Sequence, residues 1–149
     1  MANIYFIRKP IDQTIESDTS LGDDYSLRFP IGVSETWMVW LFLQFQIKTT
    51  STGIKYVLTA PAGAVVTGRT TTARDNISGA EGATQSLGSK DASVLIAETD
   101  TSLTGGATSI WLVRNGATAG DVQLQWAQRV SDAAGMTVYA GSLLMAIKV

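Results

Sequence analysis

The chain has no histidine and no cysteine. Without histidine it lacks the commonest general base, the usual nucleophile triads and most zinc sites. Without cysteine there are no disulfides and no thiolate metal ligands, while the redox compartment stays undetermined. Catalysis would have to rest on carboxylates, lysine or tyrosine alone. Charge is scarce as well, at 16% of residues against roughly 25% in ordinary soluble domains. The 11 basic and 13 acidic residues leave a net charge of −2, and the basic ones are scattered. No cluster is available to neutralise a phosphate backbone, so no nucleic-acid partner is expected.

Long apolar runs are missing too. No stretch approaches the roughly eighteen residues of a spanning helix. The N-terminal apolar run Ile4 to Ile7 is cut by Arg8-Lys9-Pro10, so no signal-peptide core is expected. A transmembrane barrel would need about eight strands or more with repeated aromatic girdles, whereas the aromatics here concentrate in one segment. No membrane partner is expected.

What remains is 45% apolar residues in 149, the size of one domain. Such a chain buries roughly 68–70% of its unfolded surface and builds a core without staples. The polar remainder is rich in Thr, Ser, Gly and Gln, which suits pleated strands and their turns. Residues 1–10 read as an N-terminal arm or a first strand, ended by Pro10. Alternation then runs through Ile11, Ile15, Leu21, Tyr25, Leu27, Phe29 and Ile31, broken by the turn-like stretches Ser17 to Ser20 and Gly22 to Asp24.

The segment WMVWLFLQFQIK, Trp37 to Lys48, is apolar at both parities. At period two, Trp37, Val39, Leu41, Leu43, Phe45 and Ile47 share one face, and Met38, Trp40, Phe42, Gln44 and Gln46 the other. The second face begins apolar and fades to polar. Further strands are expected at Lys55 to Thr59, Ala64 to Thr72, Ser93 to Ala97, Ser109 to Arg114, Val122 to Trp126 and Met136 to Val149. Between them, 73–91 is almost devoid of large apolar groups and reads as a long surface loop. Eight or nine strands with no convincing helix predict an all-β, single-domain sandwich over 11–149, jelly-roll-like, or a small barrel.

The candidate chemistry is thin. Asp23 and Asp24, adjacent on a strand, point to opposite faces, which is wrong for a shared acid–base site. They form either a solvated turn or, with Asp18 and loop carbonyls, a calcium site. Asp75, Glu81 and Asp91 show no metal-ligand spacing, and Asn76-Ile77-Ser78 matches a glycosylation acceptor with no secretion signal to support it. Trp37, Trp40, Trp111 and Trp126 would stack sugars if exposed together; core packing is the more economical account for at least three. No catalytic, cofactor or metal residue is expected. Met38, Trp40 and Phe42 form an apolar patch on an outer sheet face and are the expected subunit contact.

The stretch from Lys9 to Trp37, KPIDQTIESDTSLGDDYSLRFPIGVSETW, together with APAGA at Ala60 to Ala64, VQLQWAQ at Val122 to Gln128 and TVYAGSLL at Thr137 to Leu144, resembles small structural proteins from the head and tail regions of tailed bacteriophages. The resemblance covers most of the chain except 73–91. It implies a virion component without enzymatic activity, most plausibly a head decoration protein on the outer surface of the capsid. Such proteins are β-rich and often trimeric, so the implied partners are two further copies and the major capsid protein. On this reading Met38, Trp40 and Phe42 close against neighbouring subunits. The arm supplies Tyr5, Phe6 and Ile7 as an apolar hook, with Arg8 and Lys9 as polar anchors on the capsid. A tail, baseplate or receptor-binding component, with 73–91 touching a host glycan, and a carbohydrate-binding module are the competing expectations.

Overall fold

The computed structural model describes residues 3–49, 52–74, 84–87, 94–96 and 104–149, with no helix among them. Twelve strands are described: β1 Ile4–Arg8, β2 Gln13–Ile15, β3 Gly22–Ile31, β4 Thr36–Ile47, β5 Ile54–Thr59, β6 Val65–Arg74, β7 Thr84–Leu87, β8 Val94–Ile96, β9 Thr104–Arg114, β10 Gly120–Gln128, β11 Met136–Val138 and β12 Leu143–Lys148. All described pairings are antiparallel. They form an eight-stranded sheet in the order β1-β12-β4-β9-β6-β7, extended by β11 and β2, and a four-stranded sheet ordered β3-β10-β5-β8. The result is a two-sheet sandwich, as the alternation predicted. The expected strand at Ser93 to Ala97 contains β8, the segment Met136 to Val149 divides into β11 and β12, and the three-residue β2 and four-residue β7 are too short for a sequence period to register.

The stretch 73–91 was read as loop throughout. Its first two residues end β6 and Thr84–Leu87 form β7 beside β6; the rest of it lies outside the described residues, as do Asp75, Glu81, Asp91 and the Asn76-Ile77-Ser78 match.

The twelve-residue β4 is the spine. Trp37, Val39, Leu41, Leu43, Phe45 and Ile47 are each no more than 1% exposed, so the period-two face is the core face. On its far side β9 pairs along Thr36 to Gln46. On its near side two strands share the length: β12 pairs Trp37 to Phe42, and β11 pairs Phe45 to Ile47. The break between them falls at Gly141, whose φ of 92° lies in the left-handed region that favours glycine. There the Ser142 hydroxyl accepts the Gln44 N–H at 3.0 Å, satisfying the amide that the break leaves without a ladder partner.

Facing this spine, the small sheet buries Leu27, Phe29 and Ile31 from β3, Val122, Leu124 and Trp126 from β10, and Ile54, Tyr56 and Leu58 from β5. Tyr5, Phe29 and Trp37 pack as a ring cluster with centroids 5.2–5.3 Å apart, so β1 is tied to both sheets. One approach is closer than a side chain permits. A Cβ on Gly68 would lie 2.2 Å from the Ile110 carbonyl oxygen and 2.4 Å from the Trp111 ring, so only glycine fits against β9 here.

The alternation expected for β3 fails at one point. Tyr25 is 73% exposed, while Asp24 is fully buried. The β3–β10 register slips here: Gln123 faces Arg28 but Gln125 faces Asp23. This irregularity inverts the parity, turning Asp24 inward and Tyr25 outward. Asp24 Oδ1 holds the bulge by accepting the Ser26 and Leu27 N–H groups, both at 3.0 Å.

Candidate interaction surface

Directly opposed residues in an antiparallel sheet point to the same side, so the registers define the outer face of the large sheet. Met38 lies between Ile147 and Leu112, Trp40 between Met145 and Ile110, and Phe42 between Leu143 and Thr108. Beyond β12, Ile4 faces Ile147, Phe6 faces Met145 and Arg8 faces Leu143. Beyond β9, Thr67 faces Leu112 and Arg69 faces Ile110. The three-residue patch read from the sequence is thus the centre of an apolar field four strands wide.

Much of this field is open to solvent. Phe6 is 68% exposed, Ile4 59%, Ile110 47% and Phe42 45%; Met38, Trp40, Leu112, Met145 and Ile147 are half-buried. Taking about 200 Å² for a large side chain, the first four alone present on the order of 400 Å² of apolar surface, comparable to the largest patch on a typical monomer. An open depression of about 500 Å³ is floored by Met38, Ile110 and Leu112 and bounded by Thr67 and Arg69. The charged residues that β1, β9 and β6 present on this face are Arg8, Arg69 and Arg114, all exposed. The outer face of the small sheet is its opposite in character, carrying Asp23, Arg28, Lys55, Asp121, Gln123 and Gln125.

The five N-terminal residues do not act as one group. They form β1 and its extension, not a free arm. Phe6 and Arg8 point outward onto the apolar field, whereas Tyr5 and Ile7 pack against the core. Lys9 is 1% exposed. Its ammonium lies 2.6 Å from Asp24 Oδ2 and 2.9 Å from Gln13 Oε1, so its side chain is committed to the interior and is not presented as an anchor. The Trp126 indole N–H donates to the same Asp24 oxygen at 3.1 Å. All the polar capacity of this carboxylate is therefore used by protein donors. Asp23, on the opposite side of the strand, is exposed and accepts from Gln125 at 2.8 Å. The two acids diverge as adjacent strand residues must; the expected turn at Gly22 to Asp24 is instead the start of β3, with Asp23 solvated and Asp24 buried.

A second polar knot fastens the other end of the sheet. Glu35 Oε1 accepts from the Lys148 ammonium at 2.6 Å, and Oε2 accepts the Gly32 N–H at 2.7 Å and the Trp37 indole N–H at 2.9 Å. With the Lys148 hydrogen bond as the largest cause, these donors lower the Glu35 pKa from 4.5 to about 2. Of the four tryptophans, Trp37, Trp111 and Trp126 are buried in the core and only Trp40 reaches the surface. The expected platform of two or three exposed tryptophan rings is not present.

Ile4, Ile110, Leu112, Met145 and Ile147 were not picked out as surface residues. Their signal was present: Ile4 to Ile7, Ile110 to Val113 and Leu143 to Ile147 are all apolar at both parities, like Trp37 to Phe42. That these runs lie side by side is a matter of topology.

No known family matches the sequence, and no curated protein does. Among solved structures, the chain is similar to one in the structure of infectious bursal disease virus Gt strain, at 9% identity and a TM-score of 0.25, over 99% of this chain and 37% of that one. It is likewise similar to one in the structure of the Gx strain, at 9% identity and a TM-score of 0.24, over 99% of this chain and 40% of that one. The chain thus spans well under half the length of either viral chain. Scores this low describe no common topology, and the likeness assigns no role.

Proposed function

We propose that this chain is a non-enzymatic structural component of a virion, a decoration protein of a tailed-phage head that assembles as a homotrimer and clamps neighbouring subunits of the major capsid protein. The observation that carries this reading is the apolar outer face of the large sheet. A sandwich that ends at its own two sheets is polar on both outer faces; here one is polar and the other is a broad apolar field. Such a field, set against a polar opposite face, suits a covering layer from a neighbouring molecule. The sequence resemblance supplies the setting, and the lack of histidine and cysteine leaves few routes to catalysis. The protein's contribution is mechanical: each added contact buries surface between capsid subunits and raises the barrier to shell opening. Of the N-terminal residues, Phe6 and Arg8 are the ones free to take part.

The test is cosedimentation of the purified chain with capsids assembled without it, together with the heat resistance of the decorated shells. Saturable binding and a higher shell melting temperature are expected. Adhesion to host cells with no capsid binding would replace this reading with a receptor-binding one.

A further inference from the structure

We propose that the free edge of β1 takes up one further strand, an extended segment of the capsid subunit with a carboxylate opposite Arg8 and apolar side chains opposite Phe6 and Ile4. This deepens the decoration reading above, on which the source of the segment rests, by naming how the partner is held.

Among the described strands β1 pairs with β12 alone. The Lys9 N–H donates to the Ser142 carbonyl at 2.8 Å, and the Asn3 carbonyl accepts the Lys148 N–H at 3.0 Å. In an antiparallel ladder such bonded pairs recur at every second residue, so Tyr5 and Ile7 also bond to β12. Ile4, Phe6 and Arg8 turn their N–H and C=O groups the other way, and none of these groups meets a hydrogen-bond partner among the described residues. The side chains of the same three residues are exposed. Tyr5 and Ile7 pack against the core, so the edge has a firm backing.

The other terminal strands are blunted. β2, β7 and β8 have only three or four residues, and edges this short offer little to pair with. The ten-residue β3 has its amides taken at the bulge: the Tyr25 N–H donates to Gln13 Oε1 at 3.3 Å, and the Ser26 and Leu27 N–H groups donate to Asp24 Oδ1 at 3.0 Å. Pro30 has no N–H to offer. On β1 no side chain of the described residues takes the bare groups. A strand added there extends the ladder, whose main-chain bonds supply affinity while the flanking side chains set specificity. Run antiparallel, like every described pairing, it meets Arg8, then Phe6, then Ile4 at alternate residues. Arg8 makes no ion pair among the described residues, so a carboxylate suits the first position. Phe6 and Ile4 form the rim of the apolar field, so apolar side chains suit the third and fifth. Two β1 strands paired about a twofold at Phe6 would set Arg8 against Ile4 and leave the guanidinium without a carboxylate. A strand from a different chain is the better match.

The probe is a capped, dye-labelled peptide, Thr-Asp-Thr-Val-Thr-Val-Thr, titrated against the full chain by fluorescence anisotropy. Phe6→Ala removes the ring and keeps the outward N–H. Phe6→Pro removes both, and since that N–H faces away from β12, the internal ladder stays whole. Saturable binding to the wild type is expected, with Phe6→Pro about tenfold weaker than Phe6→Ala and both circular dichroism spectra unchanged. A peptide with Lys in place of Asp should bind the wild type more weakly, and Arg8→Glu should restore it. No binding to the wild type, equal binding to the Ala and Pro variants, or no rescue by Arg8→Glu would each overturn the proposal. So would a Phe6→Pro protein of lower mass than Phe6→Ala by light scattering, because the edge would then be filled by a second copy. Capsid cosedimentation is read separately. Peptide binding without capsid binding would remove the decoration reading and leave the edge standing; capsid binding that is equal for the two Phe6 variants would do the reverse.

Discussion

Removing the Lys9 side chain should be among the most damaging single changes to this fold. Its ammonium and the Asp24 carboxylate are 1% and 0% exposed and 2.6 Å apart. Deleting one partner of a buried ion pair leaves an uncompensated charge and costs about 3–5 kcal/mol. In Lys9→Met the carboxylate keeps three donors, the Trp126 indole and the Ser26 and Leu27 amides, and the methionine refills most of the volume. The cost should therefore sit near the lower end, about 3 kcal/mol, or a melting temperature roughly 6–12 °C lower at this chain length. Asp24→Leu should cost more, because it strands the ammonium and also orphans the Trp126 indole and the two amides of the bulge. The double variant should cost less than the sum of the two, since its second change no longer breaks an ion pair. Urea unfolding at one fixed protomer concentration measures all three. A Lys9→Met protein within 1 kcal/mol of wild type, with unchanged denaturant slope, would refute the claim that this pair fastens the N-terminal strand to β3.

Deleting residues 2–9 removes β1, the Tyr5 ring and Lys9 together, so cooperative unfolding by circular dichroism should be lost or strongly weakened; a fully folded truncation would return the segment to the status of an arm. Glu35 titrates well below its ordinary 4.5, at about 2, so the stability it contributes is fully present above about pH 4.5 and is lost as pH falls toward 2. Glu35→Gln should flatten that part of the urea-midpoint profile, and identical acid limbs in the two proteins would contradict the assignment. Gly68→Ala forces a methyl to within 2.2 Å of the Ile110 carbonyl and should cost about 1–3 kcal/mol as overpacking, read by the same urea titration; a neutral result would mean that β6 shifts freely away from β9.

Two kinds of information separate cleanly in this chain. The class of fold and the core face of β4 were legible because they depend on period-two alternation, which is local: residues two apart share a side whatever the strand pairs with. The second apolar parity of Trp37 to Phe42 was equally visible, and so were Ile4 to Ile7, Ile110 to Val113 and Leu143 to Ile147, each a two-sided run. The role of Lys9 was not legible, because a lysine after an apolar run looks the same whether it ends in water or against a carboxylate fifteen residues away. Tyr25 was misplaced for a related reason: a bulge shifts parity, and its cause, the Asp24 side chain capping two amides, is set by a partner strand a hundred residues on.

The sequence by itself determined that this is a β-protein with little catalytic equipment and several strands that are apolar on both faces. Local chemistry sufficed for that, since β-branched and aromatic alternation, turn residues and missing residue types need no partner to be read. Only the tertiary structure decided that the two-sided strands β1, β12, β4 and β9 are neighbours, and so merged four separate runs into one uncovered field. Strand order arises from pairing between segments as far apart as Ile4 and Ile147, and no pattern within a single segment encodes which other segment will lie beside it.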